Sequence, residues 1–154
     1  MTRLAERRGE LIDRSTPVSF GWRGEQVTGL AGDTIASALY DAGVRVFSRS
    51  FKYHRPRGLM CCSGQCPNCL VQVDGEPAVR ACMTPVEPGM QVDPINAWPS
   101  LDSDFLHAVG RATPGFGMQV GFYYKTFIRP RWAWKYYEKI LRSAAGLGKL
   151  DPEH

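Results

Sequence analysis

The chain has 154 residues, 44% of them hydrophobic and 22% charged, a balance that fits one ordinary folded domain with extensions. Its net charge of +4 is too mild to point to nucleic acid by itself. Met1 to Arg14 is charged throughout and lacks the apolar centre of a signal peptide, and no apolar run approaches a membrane span. The expectation is a cytoplasmic protein whose cysteines stay reduced.

Residues 1–14 read as an N-terminal arm. Val18, Phe20 and Trp22 then alternate with small or polar residues, the period of a half-buried strand. Arg23-Gly24-Glu25 is a turn and Gln26–Leu30 a partner strand. Asp33 is placed to cap a helix with Ile35, Ala36, Leu39 and Tyr40 on one apolar face and Gly43 past its end. Val44–Phe47 reads as the next strand.

The cysteines follow. Cys61-Cys62-Ser63-Gly64-Gln65-Cys66-Pro67-Asn68-Cys69 has the spacing C-x4-C-x2-C when counted from Cys61. That is the plant-type arrangement of thiolates around a [2Fe–2S] cluster. Gly64 permits the tight backbone such a loop needs. Leu70, Val71 and Val73 lead into Asp74-Gly75, a strong hairpin signal, and Glu76–Ala81 brings Cys82 back beside the loop as the fourth thiolate. A zinc site usually has two C-x2-C knuckles or a knuckle answered by paired histidines, and here only Cys66 and Cys69 form one. A Rieske centre takes two histidines, for which His54, His107 and His154 are wrongly spaced. Disulfides would leave one of five cysteines unpaired. Adjacent side chains cannot both reach one iron without strain. Cys61 is therefore assigned as ligand, and Cys62 is expected as a small buried hydrophobe.

No acidic residue lies between Asp41 and Asp74, while Arg45, Arg49, Lys52, Arg55 and Arg57 lead into the cysteine loop. Five basic side chains cannot all sit beside one cluster, so this run is expected to serve docking rather than tuning. A last strand around Met90–Pro94 completes an α+β domain over residues 15–96.

After Asn96 the character changes. Ala97–Ala112 has no clear period, and Pro114–Gly121 is a glycine-rich loop whose Gly115-Phe116-Gly117 lacks the context of a dinucleotide fingerprint. A helix is expected at about 131–145, with Ala133, Tyr136, Tyr137, Ile140, Leu141 and Ala144 on one face and Lys135, Glu138, Lys139 and Arg142 opposite. Pro130 and Gly146 punctuate it. Residues 97–154 are rich in Trp and Tyr, which favour interfaces. They are read as an aromatic and basic arm for a partner protein, in preference to an arm folded back on its own domain, a membrane surface or single-stranded nucleic acid.

Ser50–Gly58, the cysteine loop and Val79-Arg80-Ala81-Cys82-Met83-Thr84-Pro85 together resemble the N-terminal segment of the α subunit of heterotetrameric sarcosine oxidase. Asn96–Asp102, Phe122–Phe127 and Ala144–Gly148 extend the resemblance over roughly residues 11 to 150. Relatives include cyanide synthase acting on glycine and dye-linked proline or hydroxyproline dehydrogenases. The resemblance implies a β-grasp, ferredoxin-like [2Fe–2S] domain with Cys61, Cys66, Cys69 and Cys82 as ligands. In sarcosine oxidase itself these cysteines are replaced, so the chain is closer to the cluster-bearing relatives. Fused family members run on from the Gly-Leu-Gly region into an FAD/NAD-type domain, whereas this sequence stops at His154. The implied partners are a separately encoded FAD/NAD-fold flavoprotein, which the Lys52–Arg57 segment would face, and further oxidoreductase subunits carrying FAD and, as a further candidate, FMN. The chain has no catalytic set of its own. Its expected role is electron transfer within an amine or imino-acid oxidoreductase. The alternatives are a structural adaptor whose cluster carries no electrons and, more remotely, a zinc-holding nucleic-acid binder.

Overall fold

A computed structural model describes residues 3–51, 53–105, 107–108 and 131–144. The alternating stretch forms β1 (Asp13–Trp22), which pairs antiparallel with β2 (Glu25–Ala31) in a register that sets Phe20 against Val27 and Val18 against Gly29. Arg23 and Gly24 turn the chain with φ of 56° and 79°, the left-handed pair that suits the twist of a two-residue hairpin.

α1 (Ile35–Asp41) follows. Its cap is Thr34, one residue later than expected. The Thr34 hydroxyl accepts the Ser37 N–H at 3.2 Å while Ser37 Oγ accepts the Thr34 N–H at 2.9 Å, a reciprocal capping box. Asp33 is instead buried, where its carboxylate accepts from the Leu30 N–H, the Ser37 hydroxyl and the Arg3 guanidinium. Tyr40 lies off the expected apolar face. It is exposed under the Arg45 guanidinium, 3.7 Å from its ring centre, and Ala38 takes the buried place. Gly43, at φ 90°, ends the helix. Val44 N–H bonds back to Leu39 O and Gly43 N–H to Tyr40 O, the paired closure of a Schellman motif.

The strand expected at Val44–Phe47 is absent. Phe47 is buried in the core and its N–H donates to Arg57 O at 2.7 Å, but ladder pairing begins one residue later. There β3 (Ser48–Arg49) meets β4 (Pro56–Arg57) as a separate two-stranded ribbon. β5 (Leu70–Val73) and β6 (Glu76–Arg80) form the second hairpin around Asp74-Gly75, with φ of 48° and 90°. β7 (Gln91–Pro94) then inserts between the two hairpins, parallel to β1 and antiparallel to β5. The five-stranded sheet runs β2-β1-β7-β5-β6, giving the expected α+β class.

Phe20, Ile35, Leu39, Phe47, Val71 and Val92 are fully buried, each worth about 1.5–3 kcal/mol relative to exposure. Trp22 and Phe47 meet edge to face at 6.4 Å. Leu101 joins this core from the segment after Asn96, and Arg23 pairs with Asp102 at 2.9 Å.

The expected C-terminal helix is present as a 3-10 turn, Arg131–Ala133, leading into α2 (Trp134–Ala144). Its expected apolar face divides. Ala133 is buried, whereas Trp132, Tyr136 and Ile140, spaced four apart, are 60–74% exposed. Among the described residues no helix is long and apolar enough to cross a membrane. The stretches expected as loop and aromatic arm at 114–127, Gly146 and Lys52 lie outside the described residues.

Candidate metal centre

β4 delivers the chain through Gly58, Leu59 and Met60 to the cysteine loop, and β5 carries it away. Cys69 and Cys82 are buried, Cys61 and Cys66 are half-buried, and Cys62 is exposed. The two hairpin limbs bring Cys69 and Cys82 together, since Ala81 N–H donates to Cys69 O at 3.0 Å. α1 fixes the far side of Cys82: Ile35 N–H bonds Thr84 O and Ala36 N–H bonds Ala81 O, both at 2.9 Å. The helix's unpaired first amides thus hold the segment that carries the fourth thiol.

Within the loop, Cys61 Sγ accepts the Cys66 N–H at 3.4 Å. Backbone N–H groups of Ser63 and Cys66, then the Cys66 thiol and the Ser63 hydroxyl, draw the Cys61 thiol down to about 6. Burial pushes Cys69 up to about 11. The Cys82 N–H opposes that rise, and the neighbouring Cys82 and Cys66 sulfurs add to it. Cys61 thus neighbours Cys66, and Cys69 neighbours Cys82 and feels the Cys66 charge. Among the described residues no group of three or more His, Cys, Asp or Glu gathers as around a single ion. Four thiols on one loop and its neighbouring hairpin are the ligand number a two-iron centre takes, and metal binding would deprotonate the raised thiol.

Cys62 is not the buried hydrophobe expected. Its φ of 53° puts a left-handed kink between Cys61 and Ser63, so Cys61 faces the loop while Cys62 faces solvent. Gly64, at φ 72°, supplies the second left-handed position.

The basic run does not act as one surface. Arg49 is buried, with Nε and Nη2 donating to Leu101 O at 2.9 and 2.7 Å and Nη1 to His54 O at 2.8 Å. Arg45 stacks on Tyr40, and Arg55 lies 5.0 Å over Tyr53. Among the described residues of the run, Arg57 alone bonds the cysteine loop, from Nη1 to Pro67 O at 3.3 Å. Sequence reasoning missed the Arg49 clasp and the His54–Asp104 pair, buried with Nδ1 to carboxylate at 3.1 Å. Neither carries a periodic signal, because each joins segments about fifty residues apart.

Residues 15–96 match the 2Fe-2S iron-sulfur cluster binding domain family. The chain is 45% identical over 148 residues to sarcosine oxidase subunit alpha of Rhizobium meliloti, covering 93% of this chain and 15% of that protein. It is 40% identical over 73 residues to hydrogen cyanide synthase subunit HcnA of Pseudomonas protegens, covering 47% of this chain and 69% of that one. The L-proline dehydrogenase structure from P. horikoshii is similar with a TM-score of 0.47 and 21% identity, over 53% of this chain and 16% of that chain. The chain thus spans under a sixth of the sarcosine oxidase relative and about two thirds of the cyanide synthase subunit. It belongs to the 2Fe-2S iron-sulfur cluster binding domain family, as a relative of the sarcosine oxidase alpha and hydrogen cyanide synthase HcnA subunits.

Proposed function

We propose that this chain is the [2Fe–2S] electron-transfer subunit of a multi-subunit, FAD-dependent oxidoreductase acting on the CH–NH bond of a small amino or imino acid of the sarcosine, proline or glycine type. The reading is supported by the cysteine loop and the returning segment that carries Cys82 inside a matched cluster-binding domain. Cys61, Cys66, Cys69 and Cys82 are the ligands. When bound, such a cluster passes electrons singly, which complements a flavin that accepts them in pairs.

The chain's own residues do the rest. Ser63 and Cys66 aim backbone N–H groups at sulfur, where negative charge on the centre is stabilised. The buried Val71, Ala81 and Val86 belong to the same core cluster as Cys69 and Cys82 and shield that side from water. FAD, with FMN as a second candidate, would reside on partner subunits, because the relatives bear subunit names. We read residues 1–14 as an N-terminal arm, 15–96 as the cluster domain and 97–154 as a partner-binding arm whose base is fastened through Leu101 and Asp104. A cytoplasmic setting accords with thiols that must stay reduced.

The test is anaerobic co-purification followed by rapid mixing with sarcosine, proline or glycine. Expected are about two irons and two sulfides per chain, a flavoprotein companion, and cluster bleaching after flavin reduction. A flavin that cycles while the cluster stays silent would replace electron transfer with a structural adaptor role.

A further inference from the structure

The rim of the cysteine loop is unusual for a surface turn. Met60 and Met83 are 66% and 56% exposed, and both touch the loop. The Met60 sulfur lies 3.1 Å from Asn68 Nδ2. Met83 Cγ and Sδ pack within 3.0 and 3.3 Å of where a Cβ on Gly64 would stand, and the Arg80 stem reaches the same point at 4.0 Å. Arg57 bonds Pro67 O. Two soft apolar side chains and two cations thus border one loop.

The charge is polarised along the neighbouring hairpin. Its register puts Arg80 opposite Leu70, at the cysteine end, and Glu76 opposite Val73, at the turn end beside Asp74. No carboxylate occurs in the sequence between those of Asp41 and Asp74. Exposed methionines suit adaptable, water-excluding contact, and cations around them select a partner face ringed by carboxylates while steering its approach. A four-thiolate centre of net charge about −2 to −3 would by itself repel such a partner, and Arg57 and Arg80 offset that repulsion.

We propose that Met60, Met83, Arg57 and Arg80 form the exit face of this subunit, docking a single-electron carrier protein whose apolar contact patch is rimmed by Asp and Glu. This rests on the cluster reading above. In the step itself the reduced centre loses one electron and the carrier's acceptor gains one, with no bond made and no proton moved.

The probe is cytochrome c in native, basic form and in succinylated, acidic form, which present the same haem with opposite surface charge. The full chain, carrying its cluster and reduced by dithionite, is mixed with each form in a stopped-flow instrument. The succinylated form should be reduced about ten-fold faster at low ionic strength, and the advantage should vanish near 0.5 M salt, where the screening length is only about 4–5 Å. Arg80→Glu should remove the preference with the cluster spectrum unchanged, and Met83→Asp should slow both forms. Equal rates, or a faster native form, on a coloured chain overturn the docking face alone. A colourless chain without iron overturns the cluster reading and the face with it. Dimerisation broken by Met83→Asp assigns the face to a second copy, and tight oligonucleotide binding lost in Arg80→Glu assigns it to nucleic acid. Either result also overturns the proposal.

Discussion

His54 Nδ1 lies 3.1 Å from the carboxylate of Asp104, and both side chains are buried. The same carboxylate accepts the Trp98 N–H at 3.0 Å and the His107 N–H at 2.7 Å. One acidic side chain therefore ties the segment after Asn96 to the loop that precedes β4 and the cysteines. His54 itself sits at φ 49°, a conformation a non-glycine residue keeps only when its surroundings enforce it.

Asp104→Ala leaves the buried His54 ring N–H and the partly buried Trp98 and His107 N–H groups without their acceptor. We expect a loss of about 3 kcal/mol or more, read by denaturant unfolding of the cluster-loaded chain. A loss below about 0.5 kcal/mol, the usual range for a surface change, would contradict the role given to this carboxylate.

The pH dependence has a defined sign. Burial pushes the Asp104 carboxyl up, but the Trp98 and His107 N–H groups and the His54 imidazole outweigh it and hold the group below its usual 3.8. For Asp33 burial likewise acts upward and is outweighed by Arg3, Ser37 and the Leu30 N–H. A folded-state value below the unfolded one means stabilisation that is complete above the unfolded value and lost as pH falls through the folded one. The stabilisation that Asp104→Asn removes should thus be present at pH above about 3.8 and be lost as pH falls below it, so the gap between the two proteins narrows in acid. Unfolding rates after rapid jumps to pH 6 and pH 3 in urea measure it.

Arg49 gives a related prediction. Its fork spans Leu101 O and His54 O, which the single ammonium of a lysine cannot do at once. Arg49→Lys should cost about 1–3 kcal/mol. Because Arg49 and Asp104 hold the same two segments, a double-mutant cycle should give a coupling above about 0.5 kcal/mol. Strict additivity would separate the two anchors.

These anchors mark where the sequence stops being readable. Val18, Phe20 and Trp22 announce β1 by alternation, Asp74-Gly75 announces its hairpin, and the cysteine spacing announces the loop, because each signal lies within a few residues of the structure it specifies. The helix cap slid from Asp33 to Thr34 because Asp33 is claimed by Arg3, thirty residues away. Val44–Phe47 is apolar enough for a strand, yet its pairing depends on where Gly58 lets the chains approach. The run of arginines reads as one basic surface until the Leu101 carbonyl, from fifty-two residues downstream, draws Arg49 inside. Cys62 points outward because of one backbone angle, which no residue type at that position announces.

The adjacent cysteines can be separated experimentally. Cys61 faces the loop and receives the Cys66 N–H, while Cys62 is exposed beyond a left-handed kink. Cys62→Ser should retain the cluster spectrum and iron content, and Cys61→Ser should lose both. The reverse pattern would reassign the first ligand.

At the approach to the loop, Gly58 passes closer to main-chain atoms than any other described glycine. A Cβ on Gly58 would stand 2.0 Å from Arg45 O and 3.2 Å from Arg45 C, both main-chain atoms that no rotamer can move aside. At Gly21 the nearest atom is closer than van der Waals contact too, at 2.1 Å, but it is Gln91 Oε1, the end of a flexible side chain. Gly58→Ala must push the chain ahead of Met60 and Cys61 away from Val46, so we expect a loss of about 1–3 kcal/mol or more, with lower cluster occupancy. Gly21→Ala asks only that Gln91 swing outward, and should cost less than about 1 kcal/mol. Iron content and thermal unfolding of the two variants side by side decide the matter, since comparable losses would mean that the close passage at Gly58 does not position the cysteine loop.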